Sequence, residues 1–180
     1  MKVAIAGIRG FLGSHLKARL EADGHETIAL DARPGAGGDF YSGDVPSADA
    51  LVYAGGPSHR VEDLTAEDVG DELDHWCSLL GEAHHKNIGH VILLSSHAVY
   101  GPSDRAHEED EAPAPRTLYG ALQASREHIG MAFHHANGLP FTSLRLATVY
   151  GPGMRSDALV RVFLDAALDG GEIQLEGGGA

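Results

Sequence analysis

The turn Gly7-Ile8-Arg9-Gly10-Phe11-Leu12-Gly13 constrains this chain more than any other stretch. Before it lies the apolar run Val3-Ala4-Ile5-Ala6, long enough for a buried strand. After it Leu12, Leu16 and Leu20 recur every four residues, which marks one face of a helix. Glycine lacks a Cβ, so the backbone turns tightly and a pyrophosphate reaches the main chain. The helix start then offers free N–H groups and the positive end of its dipole. The spacing, G-x-x-G-x-x-G, is a shifted version of G-x-G-x-x-G, and glycines alone also make ordinary turns. Here the context adds to it. A second strand, Thr27 to Leu30, ends in Asp31, eighteen positions after Gly13. An acid about twenty residues beyond such a turn accepts hydrogen bonds from an adenosine ribose.

A chain of 180 residues makes one domain, or one domain and the beginning of another. With 43% hydrophobic residues it buries a core rather than remaining a disordered tail. Its 26 acidic and 13 basic residues argue against nucleic acid and anionic membranes as partners. The one cysteine, Cys77, excludes an intrachain disulfide and suits a reducing compartment, and its helical neighbours make it an expected core residue. No apolar run approaches the roughly 18 residues a bilayer span needs, and the N-terminus begins directly on a strand, so a cytoplasmic protein is expected. Twelve histidines raise the question of a metal. None falls in a zinc-type spacing, and the adjacent pairs His84-His85 and His134-His135 do not face one another on a helix, so solvated helix faces are expected and no metal site.

Along the chain, Arg33 to Gly38 is a loop by composition. It leaves hardly any space for the helix that a doubly wound domain places there. Ser42 to Val45 reads as a short strand end, and Ala50 to Ala54 as a strand running into Gly55-Gly56-Pro57. Thr65 to His85 is a helix, with Thr65 and Asp68 as a capping box and Val69, Leu73, Trp76, Cys77, Leu80 and Ala83 as its apolar stripe. Val91 to Leu94 is a continuous apolar strand, expected where helices cover both sheet faces. It leads into Ser95-Ser96-His97-Ala98-Val99-Tyr100-Gly101, a polar cluster where parallel sheets carry ligands. Pro102 to Pro115 reads as a solvated acidic loop. A helix from Leu118 to Asn137 places Tyr119 and Gln123 on adjoining turns near one face. Phe141 to Leu146 is a strand, Ser156 to Leu168 an amphipathic helix, and Glu172 to Leu175 a last strand. Strands alternating with helices indicate a parallel α/β sheet.

These stretches together resemble the extended short-chain dehydrogenase/reductase family, in its NAD-dependent epimerase/dehydratase branch, over essentially the whole chain. The matching motifs are the glycine signature Ala6 to Leu16, the acid Asp31, the pair Asp44-Val45, the small-residue loop Ala54-Gly55-Gly56, the serine strand Ser95 to Gly101, and Arg145 to Pro152. The resemblance implies a Rossmann-like doubly wound parallel sheet over residues 1–180, with about 150–180 beginning a substrate-binding region that family members normally continue and that is largely absent from this chain. It implies that Gly7, Arg9, Gly10, Phe11, Leu12, Gly13, Asp31, Ala32, Arg33, Asp44, Val45, Ala54, Gly55, Gly56, Tyr119 and Gln123 line the cofactor. NAD is favoured because the Asp31 carboxylate repels a 2′-phosphate; NADP is the alternative, since Arg9 and Arg33 could bind one. A small-molecule substrate, plausibly a sugar nucleotide, and a homodimer paired through the two long helices are implied as well.

In that family a tyrosine exchanges a proton with a substrate oxygen that a serine or threonine also binds, and a lysine four residues after the tyrosine holds the ribose and lowers the tyrosine pKa. Ser96 and Tyr119 take the first two places. The lysine position is Gln123, which hydrogen-bonds but carries no charge. A free tyrosine has a pKa of about 10, so about one in a thousand is ionised at neutral pH. Thr148 stands where the family often has a substrate-touching asparagine. Arg126 and His97 are not assigned as replacements for the lysine. The first reading is an NAD(P)-dependent oxidoreductase of the epimerase/dehydratase type acting on a hydroxyl or ketone. The alternative is a catalytically impaired dinucleotide-binding sensor or partner subunit, prompted by Gln123. A structural domain without a ligand is disfavoured by the intact Gly7–Asp31 unit.

Overall fold

A computed structural model describes residues 1–30, 45–56 and 63–173. Asp31, Ala32, Arg33 and Asp44, the loop after Asp31 and most of the strand end at Ser42 to Val45 lie outside the described residues. Contacts divide the chain into two compact units, Met1–Ala147 and Thr148–Ala180.

In the first unit five strands form one parallel sheet: β1 (Lys2–Ala6), β2 (Glu26–Leu30), β3 (Ala50–Tyr53), β4 (Val91–Ser96) and β5 (Phe141–Leu146), in the order β2-β1-β3-β4-β5. Three helices connect them: α1 (Phe11–Ala22), α2 (Ala66–His85) and α3 (Leu118–Asn137). The period of two along each strand explains the layering. Val3 and Ile5 of β1, with Ile8 and Val52, meet Leu16 and Leu20 of α1 on one face. Ala4 and Ala6, with Leu51, Tyr53, Val91 and Leu93, meet Trp76, Leu79, Leu80 and Ala83 of α2 on the other. Both faces are apolar and covered, which is why these strands read as continuous hydrophobic runs. Chain order reverses on the two sides of β1, so the crevice between the carboxyl ends of β1 and β3 is the switch point where such sheets bind ligands.

Local chemistry sets the helix ends. Thr65 caps α2: its Oγ1 accepts from Asp68 N while Asp68 Oδ2 accepts from Thr65 N, the expected capping box. Gly138, at φ 71°, ends α3 in the left-handed conformation that favours glycine. Several expectations need correction. Cys77 is exposed, not in the core, because the buried face of α2 is rotated onto Glu72, His75, Trp76, Leu79, Leu80 and Ala83. Two polar residues on that face hid it from a hydrophobic pattern. Val45 belongs to no strand, although its side chain packs in the core. β3 ends at Tyr53, so Ala54 already belongs to the loop. After β4, His97 starts a short 3₁₀ turn, His97–Val99.

In the second unit the helix, α4, spans Leu159–Asp169 and not Ser156–Leu168, since Arg155 to Ala158 form a turn closed by Ala158 N donating to Arg155 O. Glu172 and Ile173 lie in no strand, and the rest of the expected last strand is outside the described residues.

Candidate functional site

The glycine turn sits in the crevice between β1 and β3. Gly7 has φ +80°, a conformation that L side chains rarely adopt, and a Cβ on it would lie 2.7 Å from Gly55 N and 2.8 Å from the Ala54 carbonyl. A Cβ on Gly13 would run into the main chain of Gly7 and Ile8. Gly10 N donates to Gly7 O at 3.0 Å, closing the turn. Gly10 is also the N-cap of α1, and with no side chain it leaves the first N–H groups of that helix uncapped; no acid stands in the first turn. The two features together make a cradle for an anion. Phe11 and Leu12 open the helix and Arg9 is exposed on the turn. Ala54, Gly55 and Gly56 follow β3 on the opposite wall, with the Tyr53 ring beneath Gly55. Val45 is buried in the core.

The second wall is the start of α3. A Cβ on Gly120 would collide with the Ala98 carbonyl, so this glycine lets α3 press against the 3₁₀ turn that follows Ser96. Ser96 Oγ accepts from Ala98 N at 3.2 Å. Thr117 Oγ1 accepts from Gly120 N and fixes the first turn of α3. One turn on, Gln123 Nε2 donates to Tyr119 Oη at 3.1 Å. Gln123 is 2% exposed and its Oε1 is buried with no hydrogen-bond donor among the described residues. The structure thus brings Gly7, Gly10 and Gly13 together with Ala54 and Gly55, and joins Tyr119 to Gln123.

Two charged groups behind α3 escaped the sequence reading. Arg126 is fully buried and pairs through Nη2 with the buried carboxylate of Glu72, while also donating to Tyr53 Oη at 3.1 Å. Its guanidinium lies 4.9 Å from the centre of the Tyr53 ring, and its carbonyl accepts from Trp76 Nε1. Next to it Glu127 accepts from Ser95 Oγ at 2.6 Å and takes a two-pronged grip from Arg145, Nε at 3.0 Å and Nη2 at 2.8 Å. These bonds to Glu127 raise the Arg145 pKa further, against the opposing effect of burial. Nη1 of Arg145 reaches Tyr100 Oη and the Glu109 carbonyl, so the acidic loop is pinned to β5 and is not merely solvated. Within that loop His107 stacks on Tyr100 at 4.5 Å and bonds Glu111, whose pKa is held down to about 2 by His107 first, then by Glu108 N and Arg105. A signal was present: Glu72, Arg126 and Glu127 occupy apolar-stripe positions, where a charge needs a partner.

An open groove of about 640 Å³ lies beside this network, lined by Tyr100, His107, Glu127, Ser143 and Arg145. It includes neither Ser96 nor Tyr119, and we read it as an open sheet edge beside the Arg145 network, apart from the glycine cradle. Among the described residues no cluster of three His, Cys, Asp or Glu is placed to share a metal ion, and no helix is long and apolar enough to cross a membrane.

Comparison with known proteins agrees with this geometry. The sequence model of the NAD dependent epimerase/dehydratase family matches residues 3–180. A Rhizobium meliloti protein named as a probable UDP-glucuronate 4-epimerase is 37% identical over 99% of this chain and 62% of its own length. A dTDP-glucose 4,6-dehydratase from Actinoplanes is 24% identical over 99% of this chain and 66% of its own. Among solved structures, MoeE5 in complex with UDP-glucose and NAD superposes with TM-score 0.79 at 26% identity, covering 94% of this chain and 62% of that one. DesIV, a dTDP-glucose 4,6-dehydratase from Streptomyces venezuelae with NAD bound, gives 0.80 at 25%, covering 96% and 64%. The chain therefore spans somewhat under two thirds of the length of most of these relatives. On the family match and the shared Rossmann-like sheet, this chain belongs to the NAD-dependent epimerase/dehydratase family.

Proposed function

We propose that the chain binds NAD across the switch-point crevice and serves as an oxidoreductase of the epimerase/dehydratase kind, acting on a hydroxyl or ketone of a sugar nucleotide. The observation that carries the reading is the Gly7–Gly13 turn, pressed against Ala54 and Gly55 with the uncapped start of α1 beside it. Side chains at Gly7 and Gly13 would fill this space, and the chemistry of the turn, backbone donors with no nearby acid, suits a pyrophosphate. The similarity to MoeE5, which binds UDP-glucose and NAD, supports the cofactor and substrate class.

In this reading Gly7, Arg9, Gly10, Phe11, Leu12 and Gly13 hold the pyrophosphate. Asp31 follows directly on the last residue of β2 in the sequence and, with Ala32 and Arg33, meets the adenosine ribose; its charge favours NAD over NADP. Asp44 and Val45 flank the adenine, and Ala54 to Gly56 cover the opposite side. When bound, the nicotinamide accepts or supplies a hydride. Ser96 Oγ orients the substrate oxygen, Tyr119 Oη exchanges a proton with it, and Gln123 offers Oε1 to a ribose hydroxyl while holding Tyr119 through Nε2. Residues from about 150 onward begin the substrate-binding region, and α2 and α3 pair two copies into a homodimer.

Calorimetric titration with NAD⁺ and NADP⁺ side by side tests the cofactor. Binding of NAD⁺, weaker or absent for NADP⁺, is expected; binding of neither overturns the reading. A sedimentation mass of one chain overturns the homodimer.

A further inference from the structure

We infer that His107 is the latch of a pH-responsive strap: with a proton on both ring nitrogens it holds the loop from Gly101 to Glu111 closed at the rim of the groove beside Arg145, and loss of one proton releases that loop. The evidence is what the two nitrogens face. Nδ1 lies 2.9 Å from Glu111 Oε2, and Nε2 lies 2.9 Å from the Gly101 carbonyl oxygen. A carbonyl oxygen only accepts. Glu111 is a carboxylate and also only accepts, since His107 first, then Glu108 N and Arg105, hold its pKa down to about 2. A neutral imidazole carries one N–H. Either neutral tautomer therefore makes one of the two bonds and sets a lone pair against a lone pair at the other. Turning the ring over brings carbon to both positions, so the two contacts fix its orientation as well. Only the imidazolium makes both bonds.

The surroundings favour the charged ring and show what it holds. His107 stacks on Tyr100, 8° from parallel, and an aromatic face attracts a cation. Within the loop the Glu111 carboxylate meets Nδ1 directly, while Arg105 sits on the other oxygen of that carboxylate at 2.7 Å. From β5, the Arg145 guanidinium lies 4.7 Å from the centre of the Tyr100 ring and is paired with Glu127 of α3. The other loop acids, Asp104, Glu108, Glu109 and Asp110, are exposed. The carboxylate thus touches the ring nitrogen, whereas both guanidinium groups reach it across another side chain. The ends of the strap are fixed independently of His107. Ala114 N donates to Val99 O, and a Cβ on Gly101 would lie 2.8 Å from the Ala114 carbonyl oxygen. Its middle hangs on the two His107 bonds and on Arg145 Nη1, which donates to the Glu109 and Glu111 carbonyls. In the closed arrangement His107 and Glu109 line the groove with Tyr100 and Arg145, so release widens its mouth.

The test uses the full chain and needs no ligand. Arg105 is exposed in the middle of the strap and offers trypsin a bond to cut. Cleavage after Arg105 is followed by mass at about pH 5.5 and about pH 8.5, either side of the range where an ordinary imidazole titrates. Each rate is divided by that of His107→Phe at the same pH, a variant that keeps a ring on Tyr100 and has no ring N–H. The wild type is expected to be cut at least about threefold more slowly than this variant at the lower pH, and at nearly the same rate at the higher one. Equal ratios at the two pH values overturn the inference. Glu111→Gln tests the sign. Oε1 of Glu111 already accepts from Arg105 and from Glu108 N, so the amide keeps its oxygen there and turns its NH₂ toward Nδ1. That donor suits the neutral ring and opposes the imidazolium. In Glu111→Gln the protection is therefore expected at the higher pH and lost at the lower one. A ratio that fails to reverse overturns the inference, because a strap held by packing alone has no reason to change sign.

Discussion

Arg126 and Glu72 form an ion pair across α3 and α2 in which both side chains are buried, and the same guanidinium reaches Tyr53 at the end of β3. The ring of Tyr53 lies beneath Gly55, which in turn abuts Gly7. One buried cation thus ties the helix that bears Tyr119 and Gln123 to the loop that walls the glycine turn. Removing one partner leaves an uncompensated buried charge. Arg126→Met or Glu72→Gln alone is expected to cost about 3–5 kcal/mol, and the double variant Arg126→Met with Glu72→Leu much less, because replacing both partners by apolar groups leaves no unpaired charge. Urea unfolding of the three variants checks this. Equal losses in the single and double variants would sink it.

His75 should make stability depend on pH in a defined window. Burial first, and the Arg126 charge second, push its pKa from 6.5 down to about 4. The folded state therefore keeps the ring neutral while the unfolded chain protonates it near 6.5. The contribution is complete above about pH 6.5 and is lost progressively as pH falls toward about 4, because there the unfolded state binds the extra proton. Urea midpoints of wild type should fall across this window more steeply than those of His75→Gln. Parallel slopes would show that His75 is not the group responsible.

The sequence made the frame legible where local chemistry and period agree. The bounds of α3 and β5, the Thr65–Asp68 cap and the glycine turn are as expected, because capping residues, glycine stops and unbroken apolar runs are local signals. What could not be read is long-range. Glu72 and His75 are polar, so a hydrophobic stripe drawn through α2 swung toward Cys77, although partners on α3 and β3 make them core residues. Ser95, Glu127 and Arg145 come together from β4, α3 and β5, and no spacing announces that contact. The join of Tyr119 to Gln123 was legible as a helical turn, but the direction of its hydrogen bond was not.

Gly13 and Gly81 give opposite expectations for the same change. Gly13→Ala places a methyl group into the main chain of Gly7 and Ile8, so the turn must open; the variant should lose at least about 1 kcal/mol of stability and bind NAD⁺ at least tenfold more weakly. Gly81→Ala in α2 meets nothing within 4 Å, and replacing a helical glycine should stabilise by roughly 0.5–1 kcal/mol with NAD⁺ affinity unchanged. Thermal melts and calorimetry on the pair separate a damaged site from a damaged fold.

Gly120 tests whether the position of Tyr119, and not merely its presence, matters. A methyl group there collides with the Ala98 carbonyl and presses toward Pro115, so the first turn of α3 must lift away from the 3₁₀ turn that follows Ser96. The displacement acts at the residue after Tyr119, whereas the Glu72–Arg126 and Glu127–Arg145 pairs sit about two turns further along α3. Gly120→Ala should therefore keep most of the unfolding cooperativity while reducing turnover at least a hundredfold, the scale expected when a reacting group moves by about 1 Å. NAD⁺ affinity should change less than turnover, because the glycine cradle lies on α1 and β3. Turnover within threefold of wild type would mean that α3 tolerates the shift and that the close packing at Ala98 is structural only.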